Sequence, residues 1–216
     1  VIIFFLLTLS TQWSFSQKYS NEFLSIGLSA RAQAMGNSFV ASVDDVTAGF
    51  WNPAALASID MTNGIQIGAQ HAEWFGGIGK YDYIGFAMPF DNNKRALGLS
   101  MIRFGIDDIP NTLSLYEDDG SVNYDNIRPF SAADYAFLFS YAQKVKTDRG
   151  QLFLGGNMKV VHRSIGPFAT SWGFGLDASA QYHVGKWKFG AMLKDISNTF
   201  NAWSFNFTED EKVVLD

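Results

Sequence analysis

From residue 61 onward, apolar and polar side chains alternate with a period of two. Over residues 172–184, Trp172, Phe174, Leu176, Ala178, Ala180, Tyr182 and Val184 form one set, and Gly173, Gly175, Asp177, Ser179, Gln181 and His183 the other. Residues 151–162 oppose Leu152, Leu154, Met158 and Val160 to Gln151, Asn157 and Lys159. Farther on, Trp187, Phe189, Ala191 and Leu193 oppose Lys188, Gly190 and Lys194, while Tyr135, Phe137, Phe139 and Tyr141 oppose Ala136, Ser140 and Lys144. Weaker alternation runs through 63–73, 81–90 and 95–106. A period of two is the signature of strands whose two faces meet different surroundings. These segments, about 10 residues or longer, exceed the common strand of about five or six and match the length that crosses a bilayer with tilt. The polar set is small and hydrophilic, unlike a second packed core. The expected fold is all-β, a transmembrane antiparallel β-barrel over 61–216. Trp172 would lie at its outer membrane interface and Trp187 at its inner one, where amphipathic rings prefer to sit.

The connections add to this reading. Residues 91–94, 146–150 and 185–186 read as short turns, and 74–80, 107–133, 164–171 and 197–212 as longer loops. Strict alternation of short and long suits a membrane barrel better than a soluble sandwich or lipocalin-like barrel. About seven strands are expected, yet bacterial single-chain barrels close with an even number and an open edge leaves amides without partners in lipid. About half of a barrel is therefore expected here, with the rest beyond residue 216 or one further strand from residue 213.

The first 60 residues follow other rules. The apolar run 1–9 is too short to span a bilayer and leads into the small residues Ser14 and Ser16. It reads as the remnant of a secretory signal peptide, residues 1–16, clipped of its start and cleaved after Ser16 or nearby. Residues 17–60 are compact and Ala-rich and read as a hatch or plug of short helical turns. A helix begins at Ser29 and stops at Gly36, Asp44 and Asp45 can cap a turn through Ala48, and Asn52 stands at an N-cap before Pro53.

Composition narrows the chemistry. Lys and Arg number 16 and Asp and Glu 21 among 216 residues, a net charge of −5 with no basic block, which argues against nucleic acid. Charged residues make up 17% and aromatics 16%, whereas ordinary soluble domains are roughly 25% charged. No cysteine is present, which removes thiol nucleophiles, thiolate metal sites and disulfides. His71, His162 and His183 do not share a face, so no metal centre is expected. There is no G-x-S-x-G element, and 76–80 reads as a loop tip rather than a phosphate loop. The acidic stretch with Asp107, Asp108, Glu117 and Asp119 lacks the ligand spacing of a calcium loop. The chain is expected to be no enzyme and to hold no cofactor. The lumen-facing polar set Lys144, Asn157, Lys159, Asp177, Gln181, Lys188 and Lys194 remains. Its lysines are expected to pair with Asp177 and with Asp44 and Asp45, in preference to guiding an anionic ligand.

Four N-terminal motifs, residues 23–27, 30–36, 41–45 and 51–56, together resemble the opening of the PorV/PorQ family, an outer-membrane group of Bacteroidetes related to the FadL fatty-acid channels. Arg31, Gly36, Asp44, Asp45 and the Asn52-Pro53-Ala54 element carry the likeness, and residues 193–203 add to it. The resemblance implies a FadL-like barrel of fourteen strands, its N-terminal hatch in the lumen and about half of it in this chain. It further implies residence in the outer membrane and a non-enzymatic part in type IX protein secretion, in contact with secreted cargo or other secretion-system components. The FadL relatives imply an alternative, a channel for a hydrophobic ligand.

Overall fold

The computed structural model describes residues 21–60, 64–117, 119–197, 199–208 and 212. The expected signal peptide and the strand expected from residue 213 lie outside the described residues. The sheet runs β1 (Gln66–Trp74), β2 (Gly79–Phe90), β3 (Arg95–Asn111), β4 (Arg128–Val145), β5 (Gln151–Ile165), β6 (Ala169–Val184), β7 (Trp187–Leu193) and β8 (Phe200–Phe205). Each strand from β1 to β6 pairs antiparallel with the next, and β8 also pairs with β6. The result is a curled half-barrel.

Pairing registers turn the alternation along each strand into rows across the sheet. One row reads Ala69, Ile84, Met101, Phe137, Val160 and Phe174 from β1 to β6, and the next Ile67, Phe86, Leu99, Phe139, Met158 and Leu176. These rows contain no polar side chain, because residues directly opposite across a ladder share a face. They lie on the convex side, where Phe174 is 47% exposed, whereas Lys159 on the other face is 1% exposed. The apolar rows stop at His71, Asp82, Arg103, Tyr135, His162 and Trp172. Along that row Asp82 accepts from His71 Nδ1 at 2.6 Å and from Arg103 at 3.1 Å, and the His162 ring lies 4.3 Å from that of Trp172.

The concave face is covered by the chain's own N-terminal segment. It comprises a 3₁₀ turn at Glu22–Ser25, α1 (Ala30–Ala34), α2 (Ala48–Trp51) and a second 3₁₀ turn at Pro53–Ser58. Ser29 caps α1 by accepting from the Ala32 amide, and Gly36 follows it with φ +62°. The core lies between this segment and the sheet: Leu28, Phe39, Val43, Trp51 and Leu56 meet Tyr81, Tyr83, Ile102, Leu138 and Phe153. Glycines seat the segment against the strands. A Cβ on Gly155 would stand 2.4 Å from the Ala54 nitrogen, and one on Gly190 would stand 2.7 Å from the Val40 oxygen.

Three expectations about connections are corrected. Strand pairing continues beyond the alternating residues, so β3 reaches Asn111 and β4 begins at Arg128, past a bulge between Ile106 and Ile109. β5 and β6 run on to Ile165 and Ala169, leaving a three-residue turn where a long loop was expected. The regular alternation of loop lengths is lost, because backbone ladders need no apolar alternation to extend. The stretch expected as a loop from residue 197 contains β8, which pairs with residues 169–174 of β6 while β7 pairs with 178–184. β7 and β8 are two pieces of one broken strand line.

Because the Gly155 contact is with backbone, Gly155→Val should lower unfolding stability by about 1–3 kcal/mol through overpacking. Denaturant midpoints should show the loss, and Gly120→Ala, at an open loop position, should show a smaller one.

Candidate functional site

The concave wall grips the N-terminal segment by its backbone. Asn157 donates through Nδ2 to the Gly49 carbonyl at 2.9 Å, and Gln181 donates through Nε2 to the Ala41 carbonyl at 3.0 Å. Tyr83 donates to the Val46 carbonyl at 3.0 Å, and Ser179 accepts from the Ala54 amide at 2.9 Å. At the β1 side Gln70 accepts from the Ser29 amide at 2.7 Å. These side chains come from β1, β2, β5 and β6 and satisfy backbone groups that a short, irregular segment cannot satisfy within itself.

Beside this grip lies a buried charge cluster at the break between β7 and β8. The Lys159 ammonium stands 3.2 Å from Asp177 and 2.6 Å from Asp195. Asp177 also accepts from Asn157 Nδ2 at 3.3 Å and from the Asp195 amide at 2.9 Å, and Thr199 donates to Asp195. Opposite the break, the Leu176 amide donates to Ser197 Oγ at 3.1 Å and the Ile196 amide to the Leu176 carbonyl at 2.8 Å. The cluster replaces the missing rungs. Lys194 lies just past β7 with its ammonium 4.5 Å from the Phe50 ring centre.

Asn157, Lys159, Asp177 and Gln181 share the concave face as their spacing requires. The expected pairing of strand lysines with Asp44 and Asp45 does not form. Asp44 takes Arg31 at 2.6 Å, and Asp45 accepts from the Thr47 amide at 2.8 Å, so both are used within the N-terminal segment. Lys144 and Lys188 have concave-side parity but stand exposed at the rim, close to the turns, and do not line the interior. Asn52 occupies the N-cap position before Pro53, yet its side chain makes no cap bond; it donates to the Val40 carbonyl at 2.8 Å. Pro53 and Ala54 press their backbone on Gly155. Trp172 and Trp187 are both exposed on the convex side. His162 is on that side as well, and His183 lies on the other, beside the Phe153 ring.

Sequence reasoning missed Asp195, Thr199, Ser179, Tyr83 and Gln70. Parity alone marks Ser179, Tyr83 and Gln70 as concave. Nothing local marks Asp195, whose role depends on Lys159, 36 positions earlier in the chain. The loop between β3 and β4 holds its own acid: Glu117 accepts from Asn123 at 2.8 Å and Asn126 at 3.0 Å, which keeps its carboxyl below the ordinary glutamate value.

No protein-family description, curated protein or solved structure matches this chain.

Removing the cation of the cluster strands two carboxylates. Lys159→Ala should cost about 3–5 kcal/mol, and adding Asp177→Asn and Asp195→Asn should recover much of the loss, as read from denaturant midpoints. In the loop, a depressed folded value means that the Glu117 contribution is complete above the ordinary glutamate value and disappears as pH falls through the lowered one. Protection factors of the amides of residues 115–117 and 119–126, which remove the intrinsic pH dependence of exchange, should therefore fall under acid in the native protein and change much less with pH in Glu117→Gln.

Proposed function

We propose that the chain is the first half of an outer-membrane β-barrel whose N-terminal segment is a resident hatch, working without catalysis in protein secretion of the type IX kind. The observation that carries the membrane part is the pair of unbroken apolar rows on the convex face. An antiparallel sheet in water commonly turns its solvent face polar. Here the buried polar side chains Asn157, Lys159, Asp177 and Gln181 sit on the face covered by protein, and the unbroken apolar rows sit on the bare one. That inversion suits hydrocarbon as the outer surroundings, with Trp172 and Trp187 near its limits.

The secretory part rests on the four-motif resemblance and on an occupied interior. Asn157, Gln181, Ser179 and Tyr83 are all committed to the backbone of the segment, so the half-barrel offers loops and rims rather than an open lumen. In this reading secreted cargo proteins and other secretion-system components meet the outer loops. One observation favours the alternative, a channel for hydrophobic small molecules: the break between β7 and β8, a place where the regular ladder is interrupted and side chains help to hold the wall.

Two measurements separate these. The complete protein should float with vesicles and stay insoluble without detergent; a water-soluble protein would end the membrane reading. Deleting the gene should deplete surface-attached proteins while uptake of lipophilic nutrients is unchanged. The reverse outcome would select the channel.

A further inference from the structure

The two rims of the half-barrel carry opposite charge. One rim is made of the turns β2–β3, β4–β5 and β6–β7. Its residues 91–95, 144–151 and 183–188 hold seven Lys and Arg against Asp91 and Asp148, so 7 − 2 = +5. At the other rim, residues 74–80, 106–128 and 164–170 hold Lys80 and Arg128 against six Asp and Glu, so 2 − 6 = −4. The chain as a whole is acidic at −5, so the basic rim runs against its composition.

Most cations of this rim also lack a carboxylate partner. Arg95 pairs with Asp91 at 3.7 Å. Lys94, Lys144, Lys146, Arg149, Lys186 and Lys188 are exposed, and among the described residues none of them has a carboxylate within ion-pair distance. At the opposite rim, by contrast, Lys80 is held by Asp107 at 2.7 Å. The free cations border the end of the apolar face, where Trp187 is 72% exposed and Phe189 stands beside it.

The geometry points to a binding surface for anionic phospholipid headgroups, formed by this basic rim together with Trp187. The inference rests on the membrane reading. Cations spread over three successive turns at one edge of an apolar face match a headgroup layer, which meets every turn around the circumference at once. An acidic protein can also span three turns set about 10 Å apart, but a lipid layer covers the adjoining apolar face as well. Each Lys or Arg near an anionic leaflet adds attraction that salt screens within a Debye length. The surface thereby favours the leaflet richer in acidic phospholipid for this rim and leaves the acidic loops on the other side.

The test uses the complete protein in phosphatidylcholine vesicles containing a trace of dansyl-labelled phosphatidylglycerol or dansyl-labelled phosphatidylcholine. Tryptophan-to-dansyl energy transfer is read after flotation. Transfer to the acidic label should exceed that to the neutral one roughly twofold or more at low salt and approach parity at about 1 M salt. Parity should also follow from combining Lys94→Gln, Lys144→Gln, Lys146→Gln, Arg149→Gln, Lys186→Gln and Lys188→Gln. If that variant fails to fold, Lys94→Gln with Lys146→Gln and Lys186→Gln should still reduce the ratio. Parity at low salt in floated native protein, or enrichment that survives the substitutions, overturns the lipid assignment and leaves the rim to an acidic protein. Failure to float overturns the membrane reading instead, a separate result.

Discussion

The contact between the N-terminal segment and the concave face is the constraint from which the rest follows. A curled sheet with polar side chains on its inner side must satisfy them with water or with protein. Here Asn157, Gln181, Ser179 and Tyr83 find their partners in the backbone of residues 41–54. Glycines at 155 and 190 let the backbone of the segment approach so closely that a Cβ would collide, and those at 68 and 98 make room for the Val46 and Leu56 side chains. The same contact buries Leu28, Phe39 and Leu56 against Ile102 and Leu138, so segment and wall share one core. Neither half has a core without the other.

Charge is placed around this core with two different purposes. Inside, one ammonium serves two carboxylates where β7 and β8 fail to meet, and each carboxylate is further hydrogen-bonded, which is the condition under which a buried ion cluster is tolerated. At the rims the charges are exposed and segregated by sign. An interior cluster of this kind ties the broken strand line together, whereas the exposed lysines of the basic rim face whatever surrounds the half-barrel. Lys159 and Lys188 look alike in a strand pattern. Their depth relative to the turns gives them unrelated roles.

Much of the fold was legible because a strand exposes its period directly. Trp172, Phe174 and Leu176 share a face with each other and not with Asp177 for a local reason, the pleat. The α1 cap at Ser29 and the stop at Gly36 were legible for a similarly local reason, one side chain reaching an amide three residues on. Strand ends were not. Residues 109–111 and 128–130 have no apolar alternation to reveal them and are held by each other across the ladder. β8 escaped for the same reason, since its place is defined by residues 169–174 of β6 and not by its own pattern.

By itself, the amino-acid order determined which side chains face together, where the helical turns after Ser29 and Asn52 start, and that one sheet face is apolar. Only the tertiary structure decided that Asp44 and Asp45 serve the N-terminal segment, that Asp195 meets Lys159, and that Lys144 and Lys188 stand at a rim. The physical reason is one of range. Parity and capping act over two to four residues and can be read along the chain, whereas the partner of a buried charge is chosen by register and curvature, which bring together residues far apart in sequence.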